Sequence, residues 1–598
     1  MKLILKNAAV SSSDGAPIRA VSAAEVTVSA EENTYNTVSD KRTGGAAAAA
    51  EDEENDDGAI WAACDLKISG KGTLIVESSY DNGIKSKDDL TIKNVTLKVT
   101  APGNALKGND SVTVKSGTLI LISTASDGVK TSNSDVSSKG KQRGTVTFCG
   151  GQTDIYAAQD GISAAYDVVI SEDEGACKLG IYTASYSDKV NAAEAASDLY
   201  LIVPSSVYST SKDFYAYFYN EESDGTWVRC VYSTMIRSGR TSYYGLLVKA
   251  PAGYQNVLFN ILPSGTAPDG SNYTAATGGE TVNTAMNGYL ITSVSLSKIS
   301  GDWVQLSSGS GSEKTTYSSK GIKAQNDITV SAGTVSVYAM DDGLHANAGE
   351  ELENGKKSTG CITVTGGRIT VTSADDGMHA DGELTISGGE VTVAEAHEGL
   401  EGNVITIAGG TVSVYGKDDG LNACKGSKTP LINITGGYLE VTTPSGDTDA
   451  IDSNGNFTMS GGIALVRGGA SNGGVAGSVD ADGTVSVTGG TILAFGGICE
   501  TPKSGSVNTY ISSGTSFSAG SYTFTDASGS VILSFTLPAS YSSVWIASDA
   551  MVLNGSYSLA KDGSAVLTWT QSSATVGSAG GSGFGGGPGG PGGFGGRR

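Results

Sequence analysis

The chain has 598 residues, with 62 acidic side chains against 39 basic ones, a formal net charge of −23 and 84 glycines. That balance excludes nucleic acid, whose phosphates need an excess of Lys and Arg. It also argues against anionic membranes and leaves cation binding open. No stretch approaches the roughly 20 apolar residues of a membrane span.

Met1-Lys2-Leu3-Ile4-Leu5-Lys6-Asn7 is too short in apolar length for a signal peptide and reads as a strand. An export signal is therefore expected upstream, on a chain truncated at this end, or not at all. Lys2–Lys6 and Glu25–Ser29 carry strand patterns, and the acidic run Glu51–Asp57 reads as a solvated loop. From residue 61 a line recurs: Asn82-Gly83-Ile84-Lys85, Asn104-Ala105-Leu106-Lys107, Asp127-Gly128-Val129-Lys130 and Asp160-Gly161-Ile162-Ser163. Runs such as Leu90-Thr91-Ile92, Thr96-Leu97-Lys98-Val99 and Ser111-Val112-Thr113-Val114 lie between. Glycine pairs at 150/151, 366/367, 388/389, 409/410, 436/437, 461/462 and 489/490 suit tight corners. A repeat of about 22 residues with three short strands and three corners predicts an all-β chain coiled as a parallel β-helix.

Residues 171–314 break the period and are rich in aromatics, among them Phe214, Tyr215, Tyr217, Phe218, Trp227, Tyr243, Tyr244 and Phe259. They predict a small inserted β-sandwich whose aromatics are core before they are a sugar platform. The run Tyr254–Asn260 after Pro251-Ala252-Gly253 resembles the closing strand of starch-binding-type modules. The repeat returns over 315–510, a β cap is expected at 511–572, and the Gly-rich tail 573–598 cannot bury a core and reads as disordered. Residues 1–170 and 315–510 are thus the two parts of one array. The cysteines (Cys64, Cys149, Cys177, Cys230, Cys361, Cys424, Cys499) lack zinc-like spacing and read as small buried hydrophobes.

Period two sorts the repeated line into columns. Ile84, Leu106, Val129, Ile162, Ile322, Leu344, Met378, Leu400, Leu421 and Ile451 must face inward. Their neighbours Lys85, Lys107, Lys130, Ser163, Lys323, His345, His379, Glu401, Asn422 and Asp452 then face outward, the lysines and histidines being candidate sugar contacts. His345 and His379 suit a transition metal, but no third ligand is evident and an exposed ladder is expected. Before the glycine lie Asp127, Asp160, Asp341, Asp342, Asp375, Asp376, Glu398, Asp418, Asp419 and Asp449. Stacked one coil apart these carboxylates repel. Calcium, with 6–8 oxygen ligands, removes the conflict. The alternative is that each Asp-Gly only forms a turn. Nothing supports nucleophilic catalysis.

Ser86-Lys87-Asp88-Asp89-Leu90-Thr91-Ile92, Asp127-Gly128-Val129-Lys130 and Asp376-Gly377-Met378-His379-Ala380-Asp381 resemble a bacterial family of cell-surface carbohydrate-binding β-helix proteins that bind cellulose and polygalacturonate. Leu3–Asn7, Ser13–Ile18, Phe524-Thr525-Asp526 and Tyr541–Val544 are similar too. The resemblance implies a right-handed parallel β-helix, bound calcium, an extracellular or cell-surface location, and kinship in shape with calcium-dependent pectate lyases. The expected function is non-catalytic binding of a plant cell-wall polysaccharide, cellulose or acidic pectin, by a monomer without membrane insertion. The alternatives are a pectate lyase, which needs a lysine of lowered pKa as base, and a structural adhesin rod.

Overall fold

In the computed structural model every regular element of the described residues is a β-strand. Described are all residues except 44–55, 184–196, 305–318, 470–476 and 579–598, positions 354 and 447, and short interruptions between 210 and 297. Among them no helix is long and apolar enough to cross a membrane. Two units are formed, one by residues 1–405, 413–415 and 426–428, the other by 406–412, 416–425 and 429–598.

In the first unit most strands belong to a large parallel sheet and pair with strands one repeat away in sequence. One line runs Asp65–Gly70, Asp89–Lys93, Ser111–Val114, Thr145–Phe148, Val168–Ile170, Ile328–Val330. A second runs Thr73–Ser78, Val95–Ala101, Gly117–Ser123, Gly151–Ala157, Cys177–Tyr182, Thr334–Ala339, Arg368–Ser373. The third carries the repeated motif: Gly58–Ala62, Asn82–Ser86, Leu106–Gly108, Val129–Lys130, Ile162–Ala164, Ile322–Ala324, Leu344–Ala346, Met378–Ile386. Ile84, Leu106, Val129, Ile162, Ile322, Leu344 and Met378 are directly opposite one another and fully buried. Each such side chain contributes roughly 1.5–3 kcal/mol on burial. A slip of one residue would turn the whole row outward, so the register is tightly specified.

The glycines serve two purposes. The second member of each pair takes a left-handed conformation, with φ of 86° at Gly151, 84° at Gly367 and 82° at Gly389, as a tight corner requires. The glycine of the repeated motif is no turn glycine. Gly128, Gly161, Gly321 and Gly343 are absent from the positive-φ positions, and what they supply is room. A Cβ on Gly343 would lie 2.2 Å from Val371 Cγ1 and 2.5 Å from the carbonyl oxygen of Gly377.

The array leaves its period later than residue 171. Cys177–Tyr182 still pairs with Gly151–Ala157 on one side and with Thr334–Ala339 on the other. Its corner uses Gly175, at φ 127°, in place of a glycine pair, which hid the coil in the sequence. The intervening segment holds an eight-stranded, mainly antiparallel sheet in the order Glu280–Thr281, Asn256–Pro263, Lys212–Asn220, Ser223–Ser238, Thr241–Ala250, Ser197–Pro204, Gly288–Ser295, Lys298–Val304. Phe214, Phe218, Phe259 and Tyr289 are in its core, with Phe259 stacked on Tyr289 at 4.9 Å.

In the second unit Asn456–Arg467 pairs in parallel with Tyr438–Thr442 and Val485–Phe495. Tyr541–Ser548 then lies antiparallel on Val485–Phe495 and ends the parallel run, which protects an edge that would otherwise recruit another strand. A four-stranded antiparallel sheet of Val531–Leu537, Gly520–Asp526, Ser556–Lys561 and Ser564–Thr570 shares a core of Phe495, Phe517, Phe524 and Trp569 with it. The tail expected to be disordered from 573 begins instead with a strand, Thr575–Ser578, paired with Thr509–Phe517 because Val576 and its neighbours complete that ladder. The rest of the expected tail, from 579, lies outside the described residues, as do Glu51–Asn55 of the acidic run. Cys64, Cys149, Cys177 and Cys230 are buried, while Cys361, Cys424 and Cys499 are half-buried.

Candidate functional site

The third line of strands sets a row of polar side chains on the face opposite the core. Lys85, Lys107, Lys130, Ser163, Lys323, His345 and His379 are opposite one another in unbroken register. The row begins earlier than the motif suggested, with Arg19 and Trp61. The Arg19 guanidinium lies 5.4 Å from the Trp61 ring, a favourable cation–π distance.

These positions are not equivalent. Lys85 was expected to face a ligand, but only 3% of its side chain is exposed and its Nζ is 2.8 Å from Asp57 Oδ2. Period two gave its direction correctly, but Asp57 folds over it. Lys107, Lys130, Lys323, His345 and His379 are half-buried. Lys130 sits 3.1 Å from Asp127 Oδ2 and Lys323 3.9 Å from Asp160 Oδ2. The histidines are not an exposed ladder: 13% of the His345 side chain and 20% of the His379 side chain reach solvent. Their rings stack at 4.5 Å with 21° between planes.

The acidic positions resolve their mutual repulsion in a way the sequence did not suggest. Several of these carboxylates accept the backbone N–H of the equivalent residue one coil on. Asp160 N–H donates to Asp127 Oδ1 at 3.0 Å, Lys320 N–H to Asp160 Oδ1 at 2.9 Å, and Asp376 N–H to Asp342 Oδ1 at 3.1 Å. In the second unit Asp449 N–H donates to Asp419 Oδ1 at 3.0 Å and Gly477 N–H to Asp449 Oδ1 at 2.6 Å; Asp418 directly precedes Asp419. The other oxygen meets a side-chain nitrogen of the protein itself, three residues along the same coil: Asp127 with Lys130, Asp342 with His345, and Asp376 with His379 at 2.8 Å. Lys320 stands where the next coil has Asp342, and its Nζ reaches forward to Asp341 Oδ2 at 3.0 Å and Asp342 Oδ2 at 2.6 Å. With an ammonium there, Asp341 and Asp342 do not form an oxygen cage for calcium. Asp375, Asp376 and His397 bring donor atoms within 4.8 Å of one another, and of these only the two carboxylate oxygens suit a hard cation. Glu398 receives the Gly377 N–H on its backbone carbonyl at 2.9 Å.

The electrostatics follow. Burial opposes ionisation of Asp342, but the His345 hydrogen bond and Lys320 hold its carboxyl well below the usual carboxylate range. Burial lowers the pKa of His379, yet hydrogen bonds to Asp376 and Asp381 raise it well above the ordinary imidazole value. Burial, with Glu398 and Asp376 nearby, pushes Glu401 up to about 9 against the pull of His379. Burial and then Lys85 lower the Lys107 amine.

Burial, and after it Asp127, raise Asp160 to about 6. A raised carboxyl pKa means the folded chain holds the proton more tightly than the unfolded one. The associated stability is present in full below about pH 4 and is lost as pH rises through about 6. Asp160→Asn keeps the oxygen that accepts the Lys320 N–H. It is expected to leave the melting temperature unchanged at pH 4 and to raise stability at pH 7.5 by up to about 3 kcal/mol, at ~1.4 kcal/mol per pKa unit. Paired thermal melts at the two pH values check this, and equal melting at pH 7.5 would show that Lys320 and Lys323 already offset the charge.

Sequence reasoning missed Asp381, Lys320 and a tyrosine ladder. Asp381 is two residues beyond His379 and so on the same face. Lys320 was visible as a Lys-Gly standing in for Asp-Gly. Tyr156, Tyr182 and Tyr338 are in register at the end of the second line. Tyr156 stacks on Tyr182 at 5.0 Å, and Tyr338 is 42% exposed.

A family model described as "Carbohydrate-binding domain-containing protein" matches residues 1–211, 264–359 and 350–497. Comparison with curated proteins returns no match. Among solved structures, a polysaccharide lyase-like protein from C. thermocellum, in its gadolinium derivative, is 27% identical over 31% of this chain and 71% of that chain. Its TM-score of 0.25 is too low to support a structural argument.

Proposed function

The chain belongs to the carbohydrate-binding domain-containing family, and from that premise we propose that it is a non-catalytic polysaccharide-binding protein of the cell surface or extracellular space. Its substrate is a plant cell-wall polymer of the cellulose or acidic pectin type, held along a right-handed parallel β-helix. The observation that carries the reading is the register of Lys107, Lys130, Ser163, Lys323, His345 and His379. A row of half-exposed donors, one per coil at roughly 4.8 Å, is suited to a polymer that repeats its own hydroxyls or carboxylates. Lys85 is left out because it is buried. Calcium belongs to the proposal at Asp375 and Asp376, where a chelator is expected to lower the melting temperature.

The full chain is expected to be retained on insoluble cellulose or on a polygalacturonate gel. The Lys130→Ala/Lys323→Ala variant should elute earlier while still folded by circular dichroism, at a lowered melting temperature because Asp127 and Asp160 lose their ammonium partners. Passage of the parent chain through both matrices would overturn the proposal.

One observation favours a second reading. A lyase base needs a lysine of lowered pKa, and burial together with Lys85 lowers Lys107. With Lys107 taking the proton beside a uronate carboxylate, a C=C bond would form as the C–O bond to the glycosidic oxygen breaks, the leaving oxygen taking a proton from water and an unsaturated sugar remaining. Ultraviolet absorbance growing in polygalacturonate with calcium, and abolished by Lys107→Ala, would establish that reading over the first.

A further inference from the structure

His345 and His379 are two of the three histidines in the chain, and adjacent coils bring them into one stack. Each Nδ1 is turned to an aspartate of its own coil, His345 to Asp342 Oδ2 at 2.6 Å and His379 to Asp376 Oδ2 at 2.8 Å. An ionised carboxylate is an acceptor only, so each Nδ1 carries a proton and donates it. The same contact made twice, on rings only 21° from parallel, points the two Nε2 atoms the same way. At that end stands Asp381, with Oδ1 3.2 Å from His379 Nε2, where it accepts the Nε2 proton that a bound metal would displace. Asp381 is itself fixed by the Ala348 N–H, which donates to its Oδ2 at 2.8 Å, and 36% of its side chain is exposed. Asp342 is committed elsewhere, since Lys320 Nζ also holds its Oδ2 at 2.6 Å. Glu401 Oε2 lies 3.2 Å from His379 Nδ1, on the Asp376 side of the ring.

We propose that His345 Nε2, His379 Nε2 and an Asp381 oxygen form a binding site for a divalent first-row transition metal of the zinc class. The arrangement has the features such sites need. Two imidazole nitrogens and one carboxylate select a borderline ion over calcium, which takes oxygen. Both rings donate their other N–H to a carboxylate, the orienting contact that ligating histidines almost always make. Three protein ligands leave a fourth position open toward solvent. The inference stands apart from polysaccharide binding, and no polymer is needed to test it.

The metal-stripped full chain is titrated with ZnCl2 by calorimetry and, separately, with CoCl2 followed by visible absorption. One equivalent of zinc is expected to bind and to survive a large excess of calcium, and cobalt should give the intense bands of a nitrogen-ligated, low-coordinate ion. Binding should be lost in His345→Gln/His379→Gln, retained in His397→Gln, and weakened by at least about tenfold in Asp376→Asn, which removes an orienting carboxylate. Circular dichroism melts without metal show whether each variant is folded. Absence of zinc binding by the parent chain overturns the proposal. So does zinc binding that persists in the folded double variant, or cobalt spectra with oxygen ligation only, since either would place the ion on the acidic surface. Should the double variant not fold, the parent cobalt spectrum alone decides between nitrogen and oxygen ligation.

Discussion

Replacing Lys85 by methionine is expected to cost about 3–5 kcal/mol of folding stability, the usual result of removing one partner from a buried ion pair. Asp57 is itself buried, and its Oδ1 already lacks a hydrogen-bond partner. Loss of the 2.8 Å contact from Lys85 Nζ would leave the whole carboxylate in a dry site. The methionine stem still fills the volume, so the loss is electrostatic and not one of packing. The double variant Asp57→Asn/Lys85→Met removes both charges and is expected to recover most of the loss. Urea denaturation of the four members of this cycle supplies the coupling energy. If Lys85→Met alone unfolds at the parent midpoint, Asp57 is being solvated and the burial described above is wrong. Retention on polysaccharide should be the same for the folded double variant as for the parent, because Lys85 does not reach the surface.

The second large effect is expected at Gly343. Valine there would place its Cβ 2.2 Å from Val371 Cγ1 and 2.5 Å from the Gly377 carbonyl oxygen. Backbone on one side and a packed branched side chain on the other leave nothing flexible to yield. Overpacking of this kind costs about 3 kcal/mol, and the same clash recurs at Gly128, Gly161 and Gly321, against Ile155, Ile181 and Val337. Ala105 occupies the equivalent place opposite Gly83 and Gly128 and is fully buried, so one methyl can be housed there. Gly343→Ala should therefore cost less than Gly343→Val, and Ala105→Gly no more than about 1 kcal/mol. Equal midpoints for Gly343→Val and the parent would mean that the coils can separate locally.

The inward row from Ile84 to Met378 was readable in the sequence because alternation in strands is strict and every member is aliphatic. The outward row was readable for the same reason. What alternation cannot say is which outward side chain becomes covered. Lys85 is covered by Asp57, 28 residues earlier, at the end of an acidic run that has no period to show where it lands. Asp56, expected in a solvated loop, instead meets Arg42 and Arg19. The carboxylate ladder was seen, but its resolution was not. Charge repulsion suggested an external cation, whereas Oδ1 accepts the next coil's N–H and Oδ2 meets Lys or His three residues on. That spacing of three was visible in Asp127-Gly128-Val129-Lys130 once a reason to look for it existed. Asp381 was passed over because the histidines were compared along the column and not along their own strand.

The insertion has a consequence for the order in which the chain assembles. Asp160 and Lys320 meet across 160 residues, whereas Asn82 and Asn104, also on neighbouring coils, are 22 apart. Closing the longer gap costs about 2 kcal/mol more in chain entropy, at ~0.6 kcal/mol per doubling of length. During synthesis at roughly 5–20 residues per second, the strand Ile162–Ala164 therefore waits on the order of ten seconds for its partner. Over that interval it is an uncapped edge, open to pairing with another chain. The inserted sheet has its own core, and its folding brings its first and last long strands, Ser197–Pro204 and Lys298–Val304, into one sheet. A folded insert thereby shortens the loop that Ile322 must close to reach Ile162.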